Sequence, residues 1–237
     1  MNALVDAVNE SLRWVADHGF PRNPVTKRLR SSDFITHRGQ KLRNAHRSSD
    51  ALCDILAGLT ATQRYANVLE IGTLFGYSAL HLGEAASGHG GHVTSIDLRV
   101  KRRKWVTGEF VEDIHELAIA NVEEADLTGF ITLMSGRSDV LMPQLTLAKR
   151  SFDLIFIDGS HSSHIVVLDV INALNLISER GVIILDDVSE NVALRPHTHG
   201  GPNQVLMHLV GGQRFWMLPL SYNTLLLQPR AACNDRR

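Results

Sequence analysis

Ala66–Leu80, ANVLEIGTLFGYSAL, decides the fold. Val68, Leu69, Glu70 and Ile71 make a nearly unbroken apolar run, which breaks into a glycine turn, Gly72 to Gly76, and continues as a helix. A strand buried on both faces reads as continuous apolar sequence, and glycines at its end permit a sharp turn or a close approach to a ligand. A ligand is therefore expected at this strand's carboxyl end. A dinucleotide-binding turn would read G-x-G-x-x-G and set a pyrophosphate on a helix N-terminus. This turn reads Glu70-x-Gly72-x-x-x-Gly76 and lacks the second glycine. A carboxylate ahead of a looser turn suits a ligand with a cationic amine and no phosphate.

The whole chain sets the limits. With 237 residues, 44% of them apolar, it is long enough for one globular unit with a full core. Lys+Arg number 24 against 25 Asp+Glu, a net charge of −1, which argues against nucleic acid or an anionic membrane as the dominant partner. Apolar runs such as Gly181–Leu185 fall far short of the ~20 residues of a membrane helix. Asp6 and Glu10 near the start are unlike a signal peptide, and Cys53 and Cys233 stand apart, so a reduced cytoplasm is expected.

Leu4, Val8, Leu12 and Val15 predict a first helix closed by Gly19 and Pro21, packed on the domain or on a second subunit as a homodimer. Lys27 to Arg47 is polar and basic and reads as a solvated loop and helix start, or as a lid over the site. A helix from about Ser49 to Leu59 follows. His92–Leu98, HVTSIDL, predicts a second buried strand ending at Asp97, an acid placed to accept hydrogen bonds from ribose hydroxyls of S-adenosylmethionine or NAD alike. Arg99–Lys104 reads as a solvated helix start, with an NADP 2′-phosphate or RNA as the sharper alternatives, and Phe110–Glu124 as a helix. Phe130–Met134 is the third strand. Strands alternating with helices at this rhythm require parallel pairing through right-handed crossovers.

Ser151–Asp158, SFDLIFID, and Gly181–Asp186, GVIILD, are the fourth and fifth strands, and they end in Asp158 and in the pair Asp186-Asp187. Strand carboxyl ends line the ligand crevice of an open parallel sheet, so these acids converge there. Three crowded carboxylates repel one another unless a cation sits among them. A hard divalent ion, Mg²⁺ first, would relieve that repulsion. Asp187 instead caps a turn in the other reading, because consecutive strand residues face opposite ways unless the strand has ended by Asp186. His161, at the start of the following helix, is either close to this centre or hydrogen-bonded to backbone; His164 lies one turn on. His197 and His199 lie in Arg195–Gly201, RPHTHGG, a loop expected to border the substrate pocket, with His208 beyond it; all three are weaker candidates to help bind metal or acceptor. Arg214–Gln228 reads as an antiparallel pair of strands closing the sheet edge.

Glu70-x-Gly72-x-x-x-Gly76 resembles motif I of the class I S-adenosylmethionine-dependent methyltransferases, and Gly76-Tyr77-Ser78-Ala79-Leu80 is similar to the small O-methyltransferases among them. Ser135-Gly136-Arg137-Ser138-Asp139 resembles their adenine-binding turn, although Ser138 also fits an ordinary helix N-cap. Asp158-x-x-His161 followed by Asp186-Asp187 resembles the metal-dependent O-methyltransferases. Catechol-type members carry lysine and asparagine where this chain has His161 and Asp187, and those acting on macrolide sugars resemble it more closely, with a glutamate at Asp186.

That resemblance covers the chain from about residue 36 onward. It implies a Rossmann-like α/β fold, a seven-stranded mostly parallel sheet with an antiparallel last strand and helices on both faces. Residues 1–60 would be N-terminal helices and lid, and residues 61–237 the cofactor domain. It implies S-adenosylmethionine held by Glu70, Gly72, Thr73, Gly76, Tyr77, Ser78, Asp97, Gly136, Arg137, Ser138 and Asp158, and Mg²⁺ held by Asp158, Asp186 and Asp187. His161 would be the general base toward a hydroxyl of a small molecule such as a sugar, catechol or natural-product phenol. The alternatives are an NAD(P)-dependent oxidoreductase, an RNA methyltransferase, or a non-catalytic cofactor-binding module of the same fold.

Overall fold

The computed structural model describes residues 2–188, 202, 215–221 and 223–230; His197, His199, His208 and most of the loop 189–205 lie outside them. At the centre is β3 (Asn67–Ile71), which pairs in parallel with β4 (His92–Asp97) on one side and β8 (Phe152–Ile157) on the other. β7 (Ile131–Ser135) extends the sheet beyond β4, and β9 (Ile177–Leu185) pairs in parallel with β8. β11 (Leu225–Pro229) runs antiparallel to both β9 and β10 (Phe215–Pro219). The seven-stranded order is β10-β11-β9-β8-β3-β4-β7. The sheet is thus mostly parallel with one reversed strand, as expected, and the reversed strand is β11, one place in from the β10 edge.

Side-chain alternation divides the core. Val68, Leu154, Phe156 and Ile184 face one cluster with α3 (Asp50–Thr62), α4 (Tyr77–Ser87) and the N-terminal segment. Leu69, Ile71, Ile155 and Ile183 face the other with α6 (Ser138–Leu147) and α7 (Ser163–Leu176). Because helices cover both faces, the central strands are buried on both sides, and their few buried polar residues include Glu70, Thr94 and Ser95. α1 (Asn2–His18) lies against α3, and its buried Leu4 joins the first cluster. No helix among the described residues is long and apolar enough to cross a membrane.

Two segments differ from the sequence reading. The basic stretch before residue 47 is no loop: it forms α2 (Pro24–Ser31), capped by the Asn23 side chain, and a hairpin of β1 (Phe34–His37) and β2 (Gln40–Arg43). Arg38 and Gly39, at φ +47° and +78°, make the tight two-residue turn whose left-handed pair matches strand twist. Residues 99–104 do not begin a helix. β5 (Arg102–Lys104) pairs antiparallel with β6 (Phe110–Glu112), and α5 begins only at His115 and ends at Glu124. Trp105 explains this, because its ring is buried and its Nε1 donates to the Arg43 carbonyl at 2.8 Å, tying the second hairpin to the first. His37 Nε2, 2.6 Å from the Glu112 carbonyl, makes a second tie.

Gly72 follows β3 at φ +105°, and a Cβ there would lie 2.3 Å from the backbone oxygen of Asp158. Neither the dihedral nor the neighbouring main chain leaves room for a methyl group. Gly72→Ala is expected to lower stability by on the order of 3 kcal/mol or more in urea unfolding; a loss under about 1 kcal/mol would contradict this packing.

Candidate active site

The parallel ladder runs one residue past each strand. Gly136 N donates to Asp97 O at 2.8 Å, Gly72 N to Ile96 O at 2.8 Å, Asp158 N to Ile71 O at 2.8 Å and Asp186 N to Ile157 O at 3.0 Å. These bonds align the first residues after four strands along one edge, where a cavity of about 750 Å³ opens. That volume is within the ~300–1,000 Å³ usual for small-molecule sites. Of the residues singled out from the sequence, Gly72, Thr73, Tyr77, Ser78, Asp97, Gly136, Arg137, Ser138, Asp158, His161, Asp186 and Asp187 line it. Glu70 and Gly76 do not.

Gly76 shapes the turn instead: at φ +87° it caps α4, and its N–H donates to Thr73 O at 2.7 Å. Glu70 is fully buried beneath the turn, on the α4 side of the sheet, where its Oε2 accepts from the Ser95 hydroxyl. The Thr73 hydroxyl lies 2.6 Å from that of Ser95, so the chain Thr73–Ser95–Glu70 braces the turn from below. Glu70 thus supports the turn, and its carboxylate does not line the cavity. Asp97 reaches over the turn, its Oδ2 accepting from the N–H groups of Thr73 at 3.0 Å and Leu74 at 2.9 Å. On the β7 side, Arg137 is the N-cap of α6 and Ser138 its first residue, so Ser138 is not the cap. Beneath it, burial raises the carboxyl of Asp169 to about 6, opposed by the Ser138 hydroxyl.

At the other end stand the acids. β9 ends at Leu185, and Asp187 takes a left-handed φ of +59°, so the acidic pair escapes strand alternation and both members line the cavity. Burial, then the neighbouring charges of Asp186, Asp187 and Glu70, pushes the Asp158 carboxyl well above the usual range against a bond from Ser48. Burial also raises Asp186. Ser48 donates to Asp158 Oδ2 at 2.8 Å, Thr224 to Asp186 Oδ1 at 2.6 Å, and His161 Nε2 lies 2.7 Å from Asp187 Oδ2. Three carboxylates with mutual repulsion are a donor set suited to a hard dication. As placed, each acid is turned to a protein partner, and among the described residues no three His, Cys, Asp or Glu side chains gather as a metal ion requires.

Sequence reasoning offered the basic segment only as a loop or a lid and assigned none of the wall that closes the cavity to named site residues. Ser48 and Arg47 come from the basic segment, and Thr224 from the turn before β11. Arg47 lies over the Tyr77 ring, 4.1 Å from its centroid, and pairs with Asp50, to which the Tyr77 hydroxyl donates at 2.5 Å. Burial and the bond to Asp50 hold the Tyr77 phenol protonated. A readable signal was present only for the first hairpin, in the alternation of Ile35 and Leu42 about His-Arg-Gly-Gln.

A family model described as a methyltransferase domain matches residues 69–188. Over 150 residues the chain is 28% identical to the O-methyltransferase ankF of Aspergillus thermomutatus, covering 59% of this chain and 55% of that protein. Over 137 residues it is 31% identical to a catechol O-methyltransferase of Mycobacterium tuberculosis, covering 58% and 53%. The chain thus spans about half the length of the curated relatives it matches. In fold it is similar to an O-methyltransferase of Bacillus cereus solved in complex with SAH, with a TM-score of 0.66, 21% identity, and 91% and 96% of the two chains covered.

Burial raises the Glu70 carboxyl from 4.5 to about 7. Its proton is therefore held in the folded chain and lost from the unfolded one between those values, so stability falls as pH rises through that window. Glu70→Gln is expected to flatten the decline in thermal stability between pH 5 and pH 7 and to gain up to about 3 kcal/mol at pH 8. An unchanged slope would contradict the buried, proton-holding carboxyl.

Proposed function

The chain belongs to the methyltransferase-domain family, and from that premise we propose that it moves the methyl group of S-adenosylmethionine to a hydroxyl oxygen of a small molecule, a sugar, catechol or natural-product phenol. The supporting observation is that one cavity carries Asp97 and the glycine turn at one end and His161 with three carboxylates at the other. Asp97, beside the turn, suits ribose hydroxyls, and the turn from Gly136 to Ser138 suits the adenine edge. The 72–78 segment then directs the methionine portion toward Asp158.

His161 takes up the proton of the acceptor hydroxyl as its oxygen attacks the sulfonium methyl group. Asp187, 2.7 Å from His161 Nε2, orients the ring and stabilises the imidazolium that forms. Mg²⁺ or another divalent ion would be held by Asp158, Asp186 and Asp187 once Asp158 and Asp186 turn from Ser48 and Thr224, and would supply positive charge that lowers the acceptor's pKa. No covalent enzyme intermediate is needed, so the chain's contribution is alignment and proton removal, the former worth up to ~7–11 kcal/mol in ideal cases.

The test is transfer of a labelled methyl group to a panel of sugars, catechols and phenols by metal-stripped protein, with Mg²⁺ restored or chelator present. Transfer should require the ion, and His161→Ala should lower kcat by about 10²–10⁴-fold while leaving S-adenosylmethionine affinity unchanged. Full activity in the variant would remove His161 from the mechanism, and equal transfer in chelator would remove the metal.

A further inference from the structure

The cavity wall includes three arginines, and two are neutralised. Arg47 pairs with Asp50, and Arg137 donates to Asp139 through Nε and Nη2 at 2.9 and 2.6 Å. Arg103 has no acidic partner among the described residues, although the arginines around it do: Arg102 pairs with Glu112 at 3.4 Å, and Arg99 with Asp113 at 2.8 Å. Its position in the hairpin makes this notable. Cross-strand partners share a face, and Arg103 stands opposite Val111, which is fully buried, whereas Arg102 and Glu112 occupy the outer face. A half-buried guanidinium on the inward face, with no carboxylate among the described residues to balance it, is costly unless a ligand supplies the charge.

Its location gives the ligand's orientation. Trp105, two residues on, anchors the hairpin and stacks edge-on against His46 at 5.1 Å. The Arg103 charge adds to burial in lowering the His46 imidazole. His46 is two residues from Ser48, which binds Asp158. Arg103, His46, Ser48 and Asp158 all line the same cavity, so one acceptor molecule in it can meet both the guanidinium and the acid centre.

We propose that Arg103 is a specificity-determining residue that binds a carboxylate or phosphate on the acceptor, so that the methylated substrate is a hydroxyl compound carrying an anionic group at the end away from the reacting oxygen. This rests on the methyl-transfer reading for the identity of the other end. The hydroxyl lies among the acids at Asp158 and the anion at Arg103, so a substrate bound in reverse would set its anion against the carboxylates and leave the guanidinium facing a neutral hydroxyl.

The experiment is isothermal titration of 3,4-dihydroxybenzoate and of neutral 3,4-dihydroxybenzyl alcohol into the wild-type protein, R103Q and R103K, with and without S-adenosylhomocysteine. The wild type should bind the benzoate at least about tenfold more tightly than the alcohol. R103Q should erase that preference and R103K retain part of it, with the affinity for the alcohol and for S-adenosylhomocysteine unchanged in both. Equal affinities in the wild type, no binding of the benzoate, or a preference that survives in R103Q would overturn the assignment. A loss of S-adenosylhomocysteine affinity in R103Q would also overturn it, by placing Arg103 against the cofactor. A preserved charge preference in a protein that binds no S-adenosylhomocysteine would sink the methyl-transfer reading alone.

Discussion

Four backbone hydrogen bonds beyond the ends of the parallel strands hold everything else in place. Gly136 to Asp97, Gly72 to Ile96, Asp158 to Ile71 and Asp186 to Ile157 carry the ladder one residue into the turns. Parallel strands share a direction, so their turns leave the sheet on the same side, and those bonds fix the turns at a common level. The close approach of Gly72 to the Asp158 carbonyl belongs to the same device. A side chain at residue 72 would part β3 from β8 at the point where the two halves of the cavity meet.

The cavity is electrostatically one-sided because of this alignment. Asp158, Asp186 and Asp187 are brought together by strand ends, not by mutual attraction, and the carboxyls of Asp158 and Asp186 are raised by burial first and by the neighbouring acids second. Hydroxyls of Ser48 and Thr224 and the imidazole of His161 relieve part of that cost. Each of those partners comes from a different segment, so the acids recruit the N-terminal strap and the β10–β11 turn to the same end of the sheet. Native proteins carry such unfavourable groups where function requires them.

The sheet was legible because β3, β8 and the second half of β9 are largely apolar runs closed by glycine or acid, and β4 is a short, mostly buried segment closed by Asp97. Asp97, Asp158, Asp186 and Asp187 could be placed for the same reason, since the end of a buried strand in a parallel sheet is a known location. The second hairpin was not legible, and the first showed only Ile35 and Leu42 about His-Arg-Gly-Gln. Arg102–Lys104 and Gln40–Arg43 are short, charged and without apolar alternation of their own, and their pairing depends on Trp105 reaching Arg43 and His37 reaching Glu112 across long stretches of chain. For Glu70 the sequence gives its place along β3 but not the side of the turn its carboxylate takes, which is beneath it against Ser95. Ser48, Arg47 and Arg103 enter the cavity wall only through those hairpins and the segment between them.

The central claim, that the cavity at the strand ends is built for S-adenosylmethionine, is tested most directly by calorimetric titration of the wild-type protein and Asp97→Ala with S-adenosylhomocysteine and, separately, with NADPH. One site for S-adenosylhomocysteine, weakened in the variant, with no heat from NADPH, is the result the structure predicts. Binding of NADPH in place of S-adenosylhomocysteine, or S-adenosylhomocysteine binding untouched by loss of Asp97, would contradict it.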